Sequence, residues 1–254
     1  ALQVGFFYWL RTTMNYQYRY GTSMRRALGT LYREGGVPRF YRGIGPALLQ
    51  GPLARFADTA ANASVLALFE ETEARDWPVW ARTLCASSSA AAMRVALLPL
   101  DTVKTLLQVH GPEGLVLLAG KYRAGGAPIF FHGAIAASAA TLVGHYPWFL
   151  VFNALDERIP TYRERHRTLL RNASIGFCAS VCSDTLANCL RVVKTYRQTH
   201  ETMPYAGIVR SVVRKDGVAG LWMRGLQTRL VANGGQGLVF AVLYKLFEER
   251  LVQK

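Results

Sequence analysis

Long runs of apolar residues, broken by single polar positions and rich in Ala, Ser, Gly and Leu, recur along the chain, as at residues 134–143. Such runs are typical of helices that pack closely around a watery cavity, because small residues let backbones approach and isolated polar side chains face the interior. No run reaches the roughly 20 uninterrupted apolar residues of a solitary spanning helix. The pattern therefore predicts a helical membrane bundle.

These runs divide the chain into long helices that alternate with short amphipathic ones. The predicted long helices span residues 4–17, 44–70, 82–108, 134–156, 169–198 and 226–249, and short ones span 20–33 and 205–215. The first long helix is about ten residues, or about 15 Å, shorter at its amino end than its counterparts. The sequence also starts at Ala1 without Met. We expect either a longer or processed natural chain, or a bundle with an incomplete wall.

One unit occurs three times along the chain. Each copy ends its first long helix near a glutamine and places a glycine 25 to 27 positions later, after an aromatic residue. The glutamines are Gln17, Gln108 and Gln198, and the glycines are Gly43, Gly133 and Gly225. The period is 90 to 92 residues. We assign repeat one to residues 1–76, repeat two to 77–160 and repeat three to 161–254, all within a single domain.

Composition narrows the function classes. A net charge of +14 accompanies 51% hydrophobic residues, which excludes a disordered chain. The basic residues are scattered between apolar runs, so we read them as charge facing anionic lipid and expect no nucleic-acid partner. The four cysteines form no CxxC pair, which indicates neither a disulfide scaffold nor a metal site. The sequence carries no nucleophile–base or phosphate-loop motif, so we expect no enzyme activity.

The segment from Pro99 to Gln108 reads Pro-Leu-Asp-Thr-Val-Lys-Thr-Leu-Leu-Gln. Pro99 kinks a helix, and Asp101 and Lys104 project from one face because they are three positions apart. With the tandem repeats and the aromatic-basic-glycine triplets, this segment resembles the signature of the mitochondrial carrier family. The resemblance covers essentially the whole chain, as a degenerate member.

The resemblance implies an all-α membrane protein with three tandem repeats, each of two transmembrane helices and a short amphipathic matrix helix. The repeats form a bundle with pseudo-three-fold symmetry. It also implies a multi-pass position in the mitochondrial inner membrane.

In that family the signature acid of one repeat pairs with the base of the next and closes the matrix side. Here only Asp101 supplies an acid, so at most one of three bridges can form. Repeat one offers Leu10 and Thr13 at the equivalent positions. The residues expected at the matrix gate are Asp101, Lys104, Arg191, Lys194, Gln108 and Gln198.

The family's opposite gate lies at the ends of the second helices, where aromatic-acid-x-x-base is expected. The candidates here are Glu70, Asp156, Lys245 and Glu248. They include a single base, so at most one bridge survives. Losing bridges on both sides should weaken the alternating cycle.

The glycine segments resemble the family's cardiolipin sites, where bare N–H groups at a helix start bind a phosphate. A plain tight turn is the alternative. The predicted lipid-binding residues are Gly35, Arg42, Gly43, Gly125, Gly133, Gly217, Arg224 and Gly225. Apart from bound cardiolipin, no cofactor is expected.

In the family, solute selectivity lies seven positions after each of these glycines. Those positions hold Gln50, Ala140 with its neighbour Thr141, and Ala232. None is charged, which argues against an ordinary anion exchanger. Further ionisable candidates within the predicted spans are Arg55, Arg94, His145 and Asp184. Arg94 and Asp184 occupy equivalent positions, and they either bind solute or pair as a structural bridge.

Two functions remain open. The first is solute transport by alternating access, with an atypical substrate for which a small or neutral molecule is a candidate. The second is a transport-inactive carrier fold, held through lipid as a structural subunit of a larger respiratory or ATP-synthase assembly. A weaker third reading is a protein that organises cardiolipin without moving a solute.

Overall fold

A computed structural model of the chain describes residues 2–70, 77, 79–162, 164–200, 203–237 and 239. Within these ranges the regular structure is helical. In chain order the elements are α1 (Leu2–Tyr20), α2 (Met24–Phe40), α3 (Ile44–Glu70), α4 (Val79–Ala96), α5 (Leu98–His110), α6 (Glu113–Gly125), a 3-10 helix (Ala127–Phe131), α7 (Ala134–Arg158), α8 (Arg165–Thr199), α9 (Tyr205–Asp216), α10 (Ala219–Met223) and α11 (226–237). The predicted alternation of long and short helices is confirmed.

Helix α2 begins four residues later than the sequence predicted. The Ser23 hydroxyl accepts a hydrogen bond from the backbone N–H of Arg26 and caps the helix start. Gly21 just before it has a φ of +69°, a left-handed conformation that ends α1. The predicted start at residue 20 is therefore wrong, because this turn separates the two helices.

The first long helix of repeat two is divided into α4 and α5 at Leu97. Pro99 stands in the first turn of α5, where its missing N–H leaves no hydrogen bond unmade. The predicted kink thus takes the form of a helix break. After this break, Asp101 and Thr102 lie buried at the bundle centre.

The three repeats pack cyclically. The ends of the first helices α1, α5 and α8 contact one another, and each second helix lies between two first helices. Helix α3 contacts α1 of its own repeat and α5 of the next, while α7 contacts α4 and α8. Helix α11 closes the ring, because Ala232 packs with Phe7 and Leu10 of α1.

Apolar packing fixes the short helices against the first-helix ends. Ile208 and Val212 of α9 are fully buried against Val192 and Tyr196 of α8. Leu118 of α6 packs in the same way in repeat two, in a cluster with Leu106 and Ile129. These contacts hold each short helix across one end of the bundle.

Three glycines, Gly43, Gly133 and Gly225, stand at equivalent corners, and we call them the corner glycines. Their φ values are +82°, +95° and +64°, which side chains other than glycine adopt at a cost. Each packs against the first helix of the following repeat, so a Cβ would lie 3.0 Å from the Lys104 carbonyl oxygen at Gly43 and 3.3 Å from that of Lys194 at Gly133. At Gly225 it would lie 2.7 Å from the Tyr18 ring. Both backbone conformation and close packing therefore require glycine.

Backbone carbonyls just before the corner glycines accept hydrogen bonds from the first helix of the same repeat. Thr12 donates to the Phe40 carbonyl at 2.7 Å, and Thr102 donates to the Phe130 carbonyl at 2.9 Å. In repeat three Asn188 makes the corresponding bonds and donates to the Trp222 and Arg224 carbonyls. Each corner is thereby tied to its own repeat.

A basic side chain from each repeat binds the carboxyl end of the next repeat's first helix. Arg39 donates to the Gln108 and Val109 carbonyls at 2.9 Å each. Lys121 donates to the Gln198 carbonyl at 2.9 Å, and Arg224 donates to the Tyr18 carbonyl at 3.3 Å. A cation at a helix carboxyl end is stabilised by the helix dipole and satisfies carbonyls that lack helical partners. We call the corner glycines with these bonds the corner belt.

Among the described helices, the segment Ala127–Arg158 has the length and apolar composition to cross a membrane, with a mean hydropathy of 1.5. Helix α8, by contrast, buries polar side chains such as Ser183 and Asp184 in the bundle. Large apolar side chains such as Phe6, Phe56 and Ile135 are instead exposed on the outer surface.

Candidate solute cavity and gate

A cavity of about 680 Å³ lies at the centre of the bundle, between first and second helices of all three repeats. Its size falls within the range of pockets that bind drug-sized molecules. The sequence-predicted residues that line it are Gln50, Arg94, Asp101, Lys104, Gln108, Ala140, Thr141, His145, Arg191, Lys194 and Ala232. Asp184 lies behind this wall, and the side chain of Arg55 is outside the described residues.

The cavity wall is strongly basic. Among the described lining residues, six are Arg or Lys and one is acidic, namely Asp101. The six are Arg11, Arg94, Lys104, Arg191, Lys194 and Arg229. The sequence argued against an ordinary anion exchanger, because the three predicted contact points are uncharged. The cations of the cavity wall come from other positions. The local electrostatics therefore favour a negatively charged solute.

Two of these cations were missed as cavity residues. Arg229 stands four positions after Gly225 and one helical turn before Ala232, so the spacing from Ala232 could have found it. Arg11 stands one position after Leu10, and its Nη2 lies 3.5 Å from the Gln236 side-chain oxygen. The predicted equivalence of Leu10 with Asp101 is wrong, because the Met14 carbonyl lies at Gly225 as the Lys104 carbonyl lies at Gly43, which makes Arg11 the equivalent of Asp101. A one-residue shift in the repeat register was enough to conceal it.

Asp101 is the centre of a buried polar cluster where repeats two and three meet. Lys194 of repeat three lies 2.5 Å from one carboxylate oxygen, and Lys104 lies 2.6 Å from the other. The Gln198 amide donates to the carboxylate at 3.2 Å and also contacts Thr102. The acid of repeat two thus meets the base of repeat three, across the boundary between two repeats.

Gln50, at a predicted contact point, belongs to the same cluster. Its amide nitrogen donates to Asp101 at 3.0 Å, and its oxygen accepts from Lys104 at 2.7 Å. Lys104 turns to these groups because repeat one places Arg11, and no carboxylate, at the position equivalent to Asp101. Gln108 contacts repeat one instead, accepting from Asn15 at 2.5 Å. We call Asp101, Lys104, Lys194, Gln50 and Gln198 the Asp101 cluster.

Asp184 forms a second buried cluster, wholly within repeat three. One carboxylate oxygen lies 3.2 Å from Arg191 NH2 and 2.8 Å from Arg229 Nε. Asn233 donates to the other oxygen at 2.5 Å. We call these four residues the Asp184 cluster. Arg191 thus meets an acid of its own helix, not one of a neighbouring repeat.

Of the residues expected at the opposite gate, Asp156 is described with its side-chain contacts. Asp156 lies 2.6 Å from Arg171 of the next helix, and the same guanidinium donates to the backbone carbonyls of Asp156 and Ile159. Arg171 therefore binds the carboxyl end of α7. The side chain of Glu70, together with Lys245 and Glu248, lies outside the described residues.

The predicted lipid-binding residues include glycines at helix starts and the two arginines Arg42 and Arg224. Helices α3, α7 and α11 start directly after Gly43, Gly133 and Gly225, so their first N–H groups lie at the corners. Arg224 is buried and holds Asp216 at 2.6 Å, so its charge is already compensated. Arg42 is half-buried beside Gly35.

In two of the three repeats, the left-handed glycine of the turn before the corner lies one position after the predicted lipid-binding glycine. Gly35 is extended, with a φ of 177°, and Gly125 is the last residue of α6. The left-handed residues are Gly36 and Gly126, with φ values of +62° and +66°. Gly217 itself is left-handed in repeat three, at +72°.

A cyclic bundle of repeated helix pairs around a basic, polar cavity defines a carrier-type membrane protein. The family model "Mitochondrial carrier protein" matches residues 75–163 and 165–254, and the chain belongs to this family. Its members are solute transporters of mitochondrial membranes and not enzymes.

One similar curated protein is "Mitochondrial thiamine pyrophosphate carrier 1" of Pyricularia oryzae (strain 70-15 / ATCC MYA-4617 / FGSC 8958). The two are 35% identical over 92 residues, which make up 35% of this chain and 27% of that protein. The aligned part therefore spans about a quarter of the relative's length.

Proposed function

We propose that the chain carries an anionic organic solute across the mitochondrial inner membrane, as a multi-pass protein that works by alternating access. The observation that carries the proposal is the excess of positive charge at the cavity, where six described cations are matched by Asp101 on the wall and Asp184 behind it. Cations in a low-dielectric cavity need compensating negative charge, and an entering anion provides it. This replaces the expectation of a neutral substrate.

The nature of the similar protein is consistent with this solute class. Its name gives thiamine pyrophosphate, which carries a diphosphate group. A cavity of about 680 Å³ has room for an organic molecule of that order of size. The proposed substrate class is therefore a small organic anion with a phosphate or carboxylate group.

The test is uptake by the purified full chain in liposomes that contain cardiolipin. The solutes come in matched pairs: an organic diphosphate with its parent alcohol, and a dicarboxylate with its diester. We expect protein-dependent uptake of at least one anion and none of its neutral partner. Uptake confined to neutral solutes would overturn the charge assignment.

A second candidate function is a transport-inactive structural subunit. It is favoured by the Asp101 cluster, because Asp101–Lys194 is the one ion pair between repeats at the predicted matrix gate among the described residues. Native electrophoresis of gently solubilised inner membranes, with mass spectrometry of each slice, separates the two candidates. Migration as a 28.2 kDa chain with lipid supports the carrier. Stoichiometric migration with a respiratory or ATP-synthase complex, together with no uptake, supports the subunit.

Bound cardiolipin at the corners forms part of the proposal. The first N–H groups of α3, α7 and α11 supply donors for a phosphate, and the exposed Arg25 and Arg26 of α2 add positive charge at the same end of the bundle. Because Arg224 is held by Asp216, we expect its contribution to be structural. Lipid quantification in the purified chain, before and after exchange into lipid-free detergent, tests this part.

A further inference from the structure

The Asp184 cluster presents its positive groups to the cavity and keeps its carboxylate behind them. The side chains of Arg191 and Arg229 are 19% and 22% exposed, whereas that of Asp184 is 6% exposed. Both arginines and Asn233 line the cavity, and Asp184 does not. A solute that enters the cavity therefore meets the guanidinium groups first.

The charges of this cluster do not balance. Two guanidinium groups share one carboxylate, which leaves one positive charge uncompensated within the cluster. Each guanidinium has five N–H donors, and the two oxygens of Asp184 also accept from Asn233. Arg229 also contacts the Tyr18 side chain, and the two guanidinium groups together still keep donors for a further acceptor.

The Asp101 cluster is less suited to the same task. There Lys104 divides its donors between Asp101 and the Gln50 oxygen, and Asp101 itself faces the cavity and would repel an anion. Lysine is also a point charge, whereas the planar fork of arginine matches the two oxygens of a carboxylate or phosphate.

We propose that Arg191 and Arg229 bind the oxyanion group of the carried solute, a phosphate or a carboxylate, and that Asp184 is the counterion that holds the two arginines in place. This inference rests on the proposed function. The oxyanion then lies on the wall of repeat three, beside the uncharged Ala232 and one helical turn from it. Specificity for the anionic group comes from Arg191 and Arg229, not from the three predicted contact points.

A purely structural role would make the Asp184 cluster an internal brace between α8 and α11. The binding role and the brace role predict different changes in anion affinity when Asp184 is replaced. Asp184→Asn removes the competing negative charge but keeps an oxygen that can accept from the two arginines and hold them in place, so anion affinity rises if the arginines bind solute. Arg229→Gln and Arg191→Gln remove donors, so affinity falls. A brace alone changes stability in all three variants and anion affinity in none.

The experiment measures the unfolding temperature of the purified full chain against the concentration of inorganic pyrophosphate and, separately, succinate. Chloride at equal ionic strength is the control for screening. We expect a concentration-dependent rise for at least one probe, and the stronger probe identifies phosphate or carboxylate as the preferred group. In Arg229→Gln and Arg191→Gln the apparent Kd should rise about 10- to 100-fold, as for the loss of charged hydrogen bonds.

Two further variants keep the test decisive. Arg229→Lys retains the positive charge but loses the planar guanidinium. Its Kd should rise above that of the wild type, but less than that of Arg229→Gln. This variant also tests the site if Arg229→Gln does not fold. Arg214→Gln, at an exposed position on α9, should leave the Kd unchanged.

Wild-type affinity in the Arg191 and Arg229 variants would overturn the inference. If such variants also moved an anion normally in liposomes, the proposed function would stand and the site assignment would fail. No probe-dependent shift in the wild type, with no anion uptake, would overturn both.

Discussion

The corner belt and the cavity centre follow different symmetries. In the belt, all three repeats place a left-handed glycine against the next repeat and bind its first helix through a buried cation. In the centre, repeat two contributes Asp101, repeat three contributes Asp184, and repeat one contributes no described carboxylate to the cavity clusters. The contacts that hold the repeats together are thus threefold, whereas the charges that face a solute are not.

The difference indicates that the contacts of the corner belt and the charged residues of the cavity can be altered independently. A belt bond joins neighbouring backbones, so its loss should lower stability in any repeat. A cavity charge faces water and solute, so its loss should alter binding mainly in the repeat that carries it.

Arg39→Met should cause the largest loss of stability, about 3 to 5 kcal/mol, because it removes a buried cation bonded to two backbone carbonyls and to Glu34. Thermal unfolding of the purified chain measures the effect. Arg33→Met, an exposed arginine of the same helix, is the matched control and should leave the unfolding temperature unchanged. Equal behaviour of the two variants would contradict the role given to Arg39.

Gly225→Ala should lower the free energy of unfolding by about 2 to 4 kcal/mol, since it adds a side chain at a φ of +64° and forces a Cβ against Tyr18. Gly45→Ala is the matched control, because it lies in α3 with open space around its Cβ position. That variant should be neutral or slightly stabilising. A destabilised Gly45→Ala with an unaffected Gly225→Ala would refute the packing argument.

Asp101→Asn should cost about 1 to 3 kcal/mol and slow transport, because Lys104 and Lys194 lose their shared carboxylate. A double-mutant cycle with Lys194→Met should give a coupling energy of about 1 to 3 kcal/mol. The cycle of Asp101→Asn with Arg229→Gln should give a coupling near zero, since the two residues belong to different clusters. Strong coupling in the second cycle would mean that the two clusters act as one.

Thr12→Val should have the smallest effect, about 1 kcal/mol, because it deletes the hydrogen bond to the Phe40 carbonyl at nearly constant volume. Thr102→Val deletes the equivalent bond to the Phe130 carbonyl and also the bond accepted from Gln198, so its loss should be similar or slightly larger. Chemical or thermal unfolding compares the two. A threefold belt predicts similar losses, and a large loss in one variant only would break the symmetry.

Much of the belt could be predicted from the sequence, because its glycines recur at a fixed spacing. The spacing also identified Asp101 and Lys194, which meet in the structure. Its basic residues could not be aligned in this way. Arg39, Lys121 and Arg224 do the same task from positions 4, 12 and 1 before their corner glycines, so no common offset reveals them.

The centre was harder to predict because its partners lie outside the repeated motif. Arg229 reaches Asp184 from a second helix, and Arg171 takes Asp156 by binding the end of α7. In both cases the pairing depends on helix packing, which a motif does not encode. The net charge of the cavity therefore depends on how the first and second helices pack, and the repeated motif alone does not predict it.

The most direct test of the separation between belt and centre compares the pyrophosphate-induced rise in unfolding temperature in Arg39→Met and Arg229→Gln. The account predicts that Arg39→Met unfolds at a much lower temperature than the wild type yet keeps the pyrophosphate-induced rise, whereas Arg229→Gln loses most of that rise. A folded Arg39→Met that has lost the rise, or an Arg229→Gln that keeps it in full, would contradict the account.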